Sequence, residues 1–241
     1  VATATLTIAI GDSTPTNVIP GAGGLTTTVY EAGLPTRGGE PAGSDSAANS
    51  ETVAGTVAFT SLDGLSVVSL GGHALTLVDQ TFSDGLTARY SYNAATGAGV
   101  ITYSYTLADN TLGDNTTASF AVVVTDADGD SAPAGNLVIN IVDDVPTVGN
   151  FVDFTVPNAT GVTAGPTNTG FISGADNWSN INITGEAIAG LTYKPLVTNP
   201  DGSVTLTAKE AVGGDDVFSY TDFKDGSQSF NLIKPEAETQ I

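Results

Sequence analysis

Short runs of β-branched and aromatic residues alternating with polar ones recur along the chain, and nearly every run ends in a Gly- or Asp-rich turn. Thr87-Ala-Arg-Tyr-Ser-Tyr92 and Gly99-Val-Ile-Thr-Tyr-Ser-Tyr-Thr-Leu107 show the pattern most clearly. A period of two puts alternate side chains on one face, which is the signature of a strand with one buried side. Asp63-Gly64, Gly71-Gly72 and Asp201-Gly202 supply turns that need glycine's freedom at positive φ. No stretch carries the 3.6-residue period of an amphipathic helix. Strands are expected over 25–30, 51–59, 65–70, 74–78, 87–92, 99–107, 118–125 and 135–141, with a Gly/Ser/Ala/Pro loop over 36–50. In the second region strands are expected over 151–156, 180–184, 191–193, 203–208, 217–221 and 227–233, with a loop over 160–169 and a hairpin turn at Lys224-Asp225-Gly226. Short strands at this spacing predict an all-β protein built of tandem Ig-like β-sandwich domains.

A near-repeat marks the domain boundaries. Residues 1–10 alternate like a strand and run into Gly11-Asp12-Ser13, Pro15 and Thr16, while 136–141 run into Asp143-Asp144, Pro146 and Thr147. Ile10 matches Ile141, Asp12 matches Asp143, and Pro15 and Thr16 match Pro146 and Thr147. A closing strand followed by an acidic, proline-ended linker therefore occurs twice. The expected division is 1–17 as the closing strand of a preceding repeat plus linker, 18–147 as one sandwich, and 148–241 as a second β-sandwich, incomplete or ligand-binding. The start lacks a basic n-region and does not read as a signal peptide.

The charge balance excludes several roles. Of the 241 residues 26 are acidic and 6 basic, a net charge of −20, which repels the phosphates of nucleic acid and anionic membrane surfaces. No apolar run approaches the length of a membrane span, so membrane insertion is not expected. With no Cys, there is no disulfide, thiolate catalyst or Cys-based zinc site. His73 is the only histidine, so Ser-His-Asp chemistry would depend on it, and it reads better as a turn or strand-edge residue. The chain is therefore not expected to be an enzyme.

The acidic residues concentrate where strands end. Val122-Val-Val-Thr125 runs into Asp126-Ala-Asp128-Gly-Asp130, and Ile139-Asn-Ile-Val142 into Asp143-Asp144. Hard oxygen ligands at alternate positions, with a glycine allowing the bend, suit Ca²⁺. Carboxylates that close repel one another without a cation. An ordinary acidic hairpin turn would use the same residues.

Several segments resemble the repeats of giant bacterial surface adhesins exported by type I secretion, the RTX or biofilm-associated adhesins. They are Val29-Tyr-Glu-Ala-Gly-Leu-Pro35, Ser50-Glu-Thr-Val53, Asp63-Gly-Leu65, Ser104-Tyr-Thr-Leu107, Val124-Thr-Asp-Ala-Asp-Gly-Asp130 and Ile141-Val-Asp-Asp-Val-Pro146. The likeness is weaker over 148–241. It implies tandem Ig-like sandwiches with calcium at the junctions, in an arrangement also similar to cadherins. On that resemblance Glu31, Asp126, Asp128, Asp143 and Asp144 take the ligand roles, and Asp12 and Asp130 complete the candidate set. Ser13 stands where the second linker has Asp144, which weakens the first junction. The expectation is a calcium-rigidified segment of an extracellular adhesin at the bacterial cell surface, serving attachment or biofilm formation, with neighbouring repeats of the same chain as partners. Two alternatives remain. One is a calcium-dependent module binding surface glycans or peptides, with Trp178 and the acids Asp176, Asp215, Asp216, Asp222 and Asp225 as candidate groups. The other is part of a secreted β-rich hydrolase.

Overall fold

A computed structural model describes residues 3–9, 11–148, 155–168, 171–176, 178 and 180–235. The chain divides into two units, 1–34 with 48–143 and 35–47 with 144–241. The expected loop over 36–50 therefore falls mostly with the second unit, and the boundary lies at 143/144.

The first unit contains β1 (Thr16–Val18), β2 (Thr28–Tyr30), β3 (Thr52–Thr60), β4 (Val67–Leu70), β5 (His73–Ala74), β6 (Gln80–Thr81), β7 (Leu86–Asn93), β8 (Ala98–Thr106), β9 (Thr116–Thr125) and β10 (Gly135–Val142). One sheet runs β1-β3-β8-β7-β6 and the other β2-β10-β9-β4-β5. All ladders are antiparallel except β2 with β10, where Val29 lies beside Ile141. The one helical element among the described residues is a 3-10 turn, Glu31–Gly33.

Alternation decides what faces inward. On β8, Gly99, Ile101, Tyr103 and Tyr105 are buried and their neighbours are not. Leu137, Ile139 and Ile141 do the same on β10. Tyr105 of one sheet meets Phe120 of the other with ring centroids 5.5 Å apart, so the two inner faces close on each other as a sandwich. Each fully buried Leu, Ile or Val contributes roughly 1.5–3 kcal/mol. Gly99 sits opposite Phe59 on β3, and a Cβ built there would lie 2.0 Å from the Phe59 ring, so the ring occupies the space a side chain would need.

The second unit contains β11 (Thr147–Val148), β12 (Val162–Asn168), β13 (Phe171–Ile172), β14 (Leu191–Tyr193), β15 (Val197–Thr198), β16 (Val204–Glu210), β17 (Asp216–Asp222) and β18 (Ser227–Leu232). The main sheet runs β12-β18-β17-β16-β14, with β15 also paired to β16, and β11 pairs with β13. Leu206, Ala208 and Leu232 are buried, and Phe218 packs on Phe230 at 5.3 Å.

Several expectations change. Residues 3–9 form no strand, and Leu6 and Ile8 are 83% and 75% exposed, because no neighbouring strand offers them a ladder. Residues 1, 2 and 10 lie outside the described residues. Thr16 and Asn17, expected as linker, join Val18 in a strand paired with Ala58–Thr60. The strand expected over 74–78 stops at Ala74, and Leu77 and Val78 are exposed. The loop expected over 160–169 is instead β12. Its register shifts around Gly165 and Pro166, and as an edge strand it tolerates a bulge and a residue without an N–H. No strand forms over 180–184. Of the strand expected at 151–156, residues 151–154 lie outside the described residues, and 155–156 are not in a strand.

Candidate metal centres

Strand register in the first unit sorts the candidate ligands to opposite ends of the sandwich. The chain enters β1 after Asp12, leaves β3 before Asp63 and leaves β9 into Asp126–Asp130, and these three points meet at one end. Glu31 follows β2, Glu51 precedes β3, Thr111 precedes β9 and Asp143 follows β10, at the other end.

At the first end the turn between β9 and β10 is closed by the Asp126 N–H donating to the Asp130 carbonyl at 2.9 Å. Asp126 Oδ1 accepts the N–H groups of Gly129 at 3.0 Å and Asp130 at 2.8 Å. Gly129 has φ 111°, a conformation that favours glycine, so the motif's glycine is required by the bend. The Asp126 side chain is 0% exposed, and its Oδ2 has no hydrogen-bond donor. Carboxylate oxygens of Asp126, Asp128 and Asp130 lie within 4.8 Å of one another. Asp128 belongs to a second group on the same spacing with Asp12 and Asp63. The Ser13 N–H fixes this meeting point by donating to Asp63 Oδ2 at 2.9 Å and Asp12 Oδ1 at 3.0 Å.

The carboxylates perturb one another. Contact with Asp130 holds the Asp12 carboxyl above its ordinary value, with burial and the Asp130 charge adding to the rise. Asp126, followed by burial and the charge on Asp12, pushes Asp128 up. Burial pushes Asp126 up, but the neighbouring Asp128 side chain and the turn N–H groups outweigh it and leave the carboxyl lowered. Carboxylates this close repel one another, and a divalent ion among them would relieve that repulsion.

At the other end Glu31 lies in the 3-10 turn and is 0% exposed. Its Oε1 accepts the Thr111 N–H at 2.7 Å and the Thr111 hydroxyl at 2.8 Å, while Oε2 has no donor. A carboxylate oxygen of Asp143 lies within 4.8 Å of one from Glu31. Glu51 carries a second buried oxygen, Oε2, without a donor. That oxygen lies 2.6 Å from the point where a Gly33 Cβ would stand, so Glu51 is packed on the backbone of the same turn.

Asp144, in the second unit, is used differently. Its Oδ2 accepts the N–H groups of Ser44 at 2.7 Å and Ala175 at 2.9 Å, and its Oδ1 accepts the Ser44 hydroxyl at 2.5 Å. It anchors the 35–47 segment within that unit. The other acids of the second unit are locally engaged: Asp215 with Lys234, Asp216 with Lys194, Asp222 with the Tyr220 hydroxyl, and Asp225 with Ser227. Trp178 is half-buried and its Nε1–H donates to the Lys224 carbonyl at 3.3 Å. With Asn180, Ile181, Thr198, Gly202, Val204 and Lys224 it lines a cleft of about 240 Å³. His73 lies at the start of β5, with Nε2 2.8 Å from Asp84 Oδ2 and its ring stacked on Phe82 at 3.9 Å.

Of the seven sequence-predicted ligands, Asp12, Asp126, Asp128 and Asp130 meet at one end, and Glu31 and Asp143 lie close together at the other. Asp63 and Glu51 were not among the predicted ligands. Asp63 reads as half of an ordinary Asp-Gly turn, and only the resemblance of Asp63-Gly-Leu65 and Ser50-Glu-Thr-Val53 to repeat motifs pointed to either.

No family model and no curated protein matches the chain. Among solved structures it is similar to the SrpA adhesin from Streptococcus sanguinis, at 12% identity over 96% of this chain and 99% of that one, with a TM-score of 0.34. It is similar to the GspB Siglec domain at 12% identity over 95% and 100%, with a TM-score of 0.36. The D00-D0 domain of intimin matches at 14% identity over 92% and 87%, with a TM-score of 0.30. All three are bacterial surface adhesin domains. Likeness at this level leaves the all-β architecture to be read from the chain's own ladders.

Proposed function

We propose that this chain is a segment of an extracellular bacterial adhesin whose sandwich is rigidified by calcium at its acidic ends. The observation that carries the proposal is Asp126: a fully buried carboxylate with one oxygen held by its own turn and the other left facing Asp128 without a donor. An uncompensated buried acceptor is costly, and among neighbouring carboxylates only a cation or a proton relieves it. Calcium accepts six to eight oxygens at about 2.3–2.6 Å, so oxygens within 4.8 Å of one another fit one ion. A second ion, in the Asp12, Asp63 and Asp128 group, would clamp the segment entering β1 to the β9–β10 turn. That clamp would reinforce the Ser13 contacts that already hold the entry, as a load-bearing surface fibre requires. Biofilm attachment, type I export and tandem partners of the same chain extend this reading from the sequence resemblance.

The test is thermal unfolding of the full chain in calcium and in EGTA. A melting temperature that rises with calcium and saturates at millimolar concentration supports the proposal, and an unchanged one removes it. A second reading, glycan or peptide recognition by the second unit, is favoured by the Trp178 cleft, where a half-buried indole stands beside the Asn180 amide and the Thr198 hydroxyl. Stacking on a sugar face with adjacent hydrogen-bonding groups is a common use of such a surface. Glycan and peptide arrays separate the two readings, since a spacer binds neither.

A further inference from the structure

We infer that the Trp178 cleft of the second unit takes a single carboxylate-bearing sugar ring, with Lys224 as the group that holds the carboxylate. The inference rests on the glycan reading of that cleft and adds the charge and the size of what it accepts.

Trp178 is the only tryptophan of the chain. Its Nε1–H donates to the Lys224 carbonyl, so the polar edge of the indole is spent on the turn between β17 and β18. What the half-buried ring offers a ligand is its surface lining the cleft, which suits the C–H face of a sugar. Lys224 supplies the charge. Arg37, Arg89, Lys194 and Lys234 each pair with an acid, whereas Lys224 forms no ion pair among the described residues, in a chain with 26 acidic residues against 6 basic. Its stem lies on Gly202 in the turn between β15 and β16: a Cβ there would fall on Lys224 Cε and 2.8 Å from Nζ, and φ at Gly202 is 81°. The ammonium therefore stands over a turn that forms part of the cleft wall.

The acids of the two turns are already engaged. Asp201 Oδ1 accepts the Ser203 N–H at 2.9 Å and hydroxyl at 2.7 Å, and Asp225 Oδ1 accepts the Ser227 N–H at 2.9 Å and hydroxyl at 2.6 Å. The Ser203 hydrogen bonds, with a smaller contribution from the Lys224 charge, hold Asp201 below its ordinary value. Acids elsewhere on the chain are screened beyond about 8 Å at physiological salt, so contact at Lys224 decides which anions stay. A ligand carboxylate gives the ammonium the charged partner that the chain does not. The cleft of about 240 Å³ lies below the roughly 300–1,000 Å³ of sites for larger organic ligands, which fits one ring and not an extended peptide. Val204, 4% exposed, is its apolar floor, and Thr198 and Asn180 bring a hydroxyl and an amide for ring hydroxyls.

The experiment titrates the full chain with methyl glycosides in matched pairs: glucuronide against glucoside, galacturonide against galactoside, mannuronide against mannoside. Binding is read by saturation-transfer NMR and by the fluorescence of the single indole. At least one uronide should bind about three- to tenfold more tightly than its neutral partner. Lys224→Gln should abolish that preference and leave the neutral sugar's affinity unchanged, and Trp178→Ala, read by NMR, should weaken both members of the pair. Lys224→Gln removes no ion pair, so it keeps the test usable if Trp178→Ala fails to fold. Equal affinity within every pair, or a preference that survives Lys224→Gln, overturns the carboxylate assignment and leaves the glycan reading standing. Binding of N-acetyl-dialanine as tight as the best uronide overturns the sugar class in favour of a peptide carboxylate. No binding by any of the glycosides removes the glycan reading of the cleft, and this inference with it.

Discussion

Replacing Asp126 by asparagine should cost stability chiefly when calcium is present. The amide keeps an oxygen at the Oδ1 position, so the N–H groups of Gly129 and Asp130 keep their acceptor and the turn survives. What changes is Oδ2, the buried oxygen without a donor, which becomes an N–H₂ directed at Asp128. Without calcium the substitution removes one of several mutually repelling charges but also a carboxylate whose charge the turn N–H groups stabilise, so Asp126→Asn should melt close to the wild-type temperature in EGTA. With calcium a gap opens, because the wild type gains binding energy that the variant has lost. For a site in the extracellular class, with a dissociation constant near 10⁻⁴–10⁻³ M, calcium at about 10 mM is roughly 10 to 100 times saturating and contributes about 1.4–2.7 kcal/mol. Spread over the unfolding entropy of a unit of about 130 residues, that corresponds to a rise of roughly 5–10 °C. Differential scanning calorimetry of both proteins, each with 10 mM calcium and with EGTA, measures all four values. A wild-type melting temperature indifferent to calcium, or an Asp126→Asn variant that responds to calcium as fully as the wild type, refutes the reasoning.

Three further outcomes follow from the packing. Gly99→Ala places a Cβ 2.0 Å from the Phe59 ring and should destabilise the first unit by about 1–3 kcal/mol in urea, with calcium affinity unchanged once folded. Asp144→Ala strands the donors from Ser44 and Ala175 and should cost the second unit about 2–3 kcal/mol by denaturant unfolding, yet leave the calcium-induced shift of the first unit intact. Burial raises the Asp222 carboxyl above its ordinary 3.8, with the Tyr220 hydrogen bond opposing. A raised folded-state value favours the protonated acid, so this residue's contribution is fully present below about pH 3.8 and is lost as pH rises through the folded-state value. Asp222→Asn should therefore raise the second unit's melting temperature at pH 7 and leave it unchanged near pH 3. A difference that persists equally at both would show that burial of charge is not the cause.

What the residues revealed beforehand depended on whether local pattern and tertiary neighbour agreed. β7, β8, β9 and β10 alternate strictly, and the sandwich buries the alternate set, so each was legible to within two residues at either end. Residues 3–9 alternate equally well and form no strand, because alternation states only that one face is apolar; a ladder also needs a partner. β12 was hidden by the opposite conflict. Gly165 and Pro166 look like loop residues, yet an edge position next to β18 accommodates both. The aspartate turn was legible as a carboxylate cluster because Asp126, Asp128 and Asp130 are nearly contiguous in sequence. Asp63 and Glu51 were not, since each is a single acid in a common motif and acquires meaning only when β3 carries it to an end of the sandwich.

The same topology explains why so acidic a chain gathers its charge where it does. A strand in a sandwich gives alternate positions to the core, and the remaining outward positions here are largely Thr, Ser, Ala and Asn; on β8 they are Ala98, Val100, Thr102, Ser104 and Thr106. The acids are displaced into the connections, and in an antiparallel sandwich connections exist only at the two ends. Clustering alone is thus a geometric consequence and would occur without any ion. Orphaned burial does not follow from that geometry, for a turn carboxylate can point into water at no cost. Asp126 at one end, and Glu31 and Glu51 at the other, instead each turn one oxygen inward and leave it without a donor. That choice is destabilising in the bare protein, and under the function proposed above a cation relieves it. Calcium dependence should therefore track these three inward oxygens rather than the number of acids at either end, and neutralising exposed Asp45 or Asp109 should leave the calcium-induced melting shift unaltered.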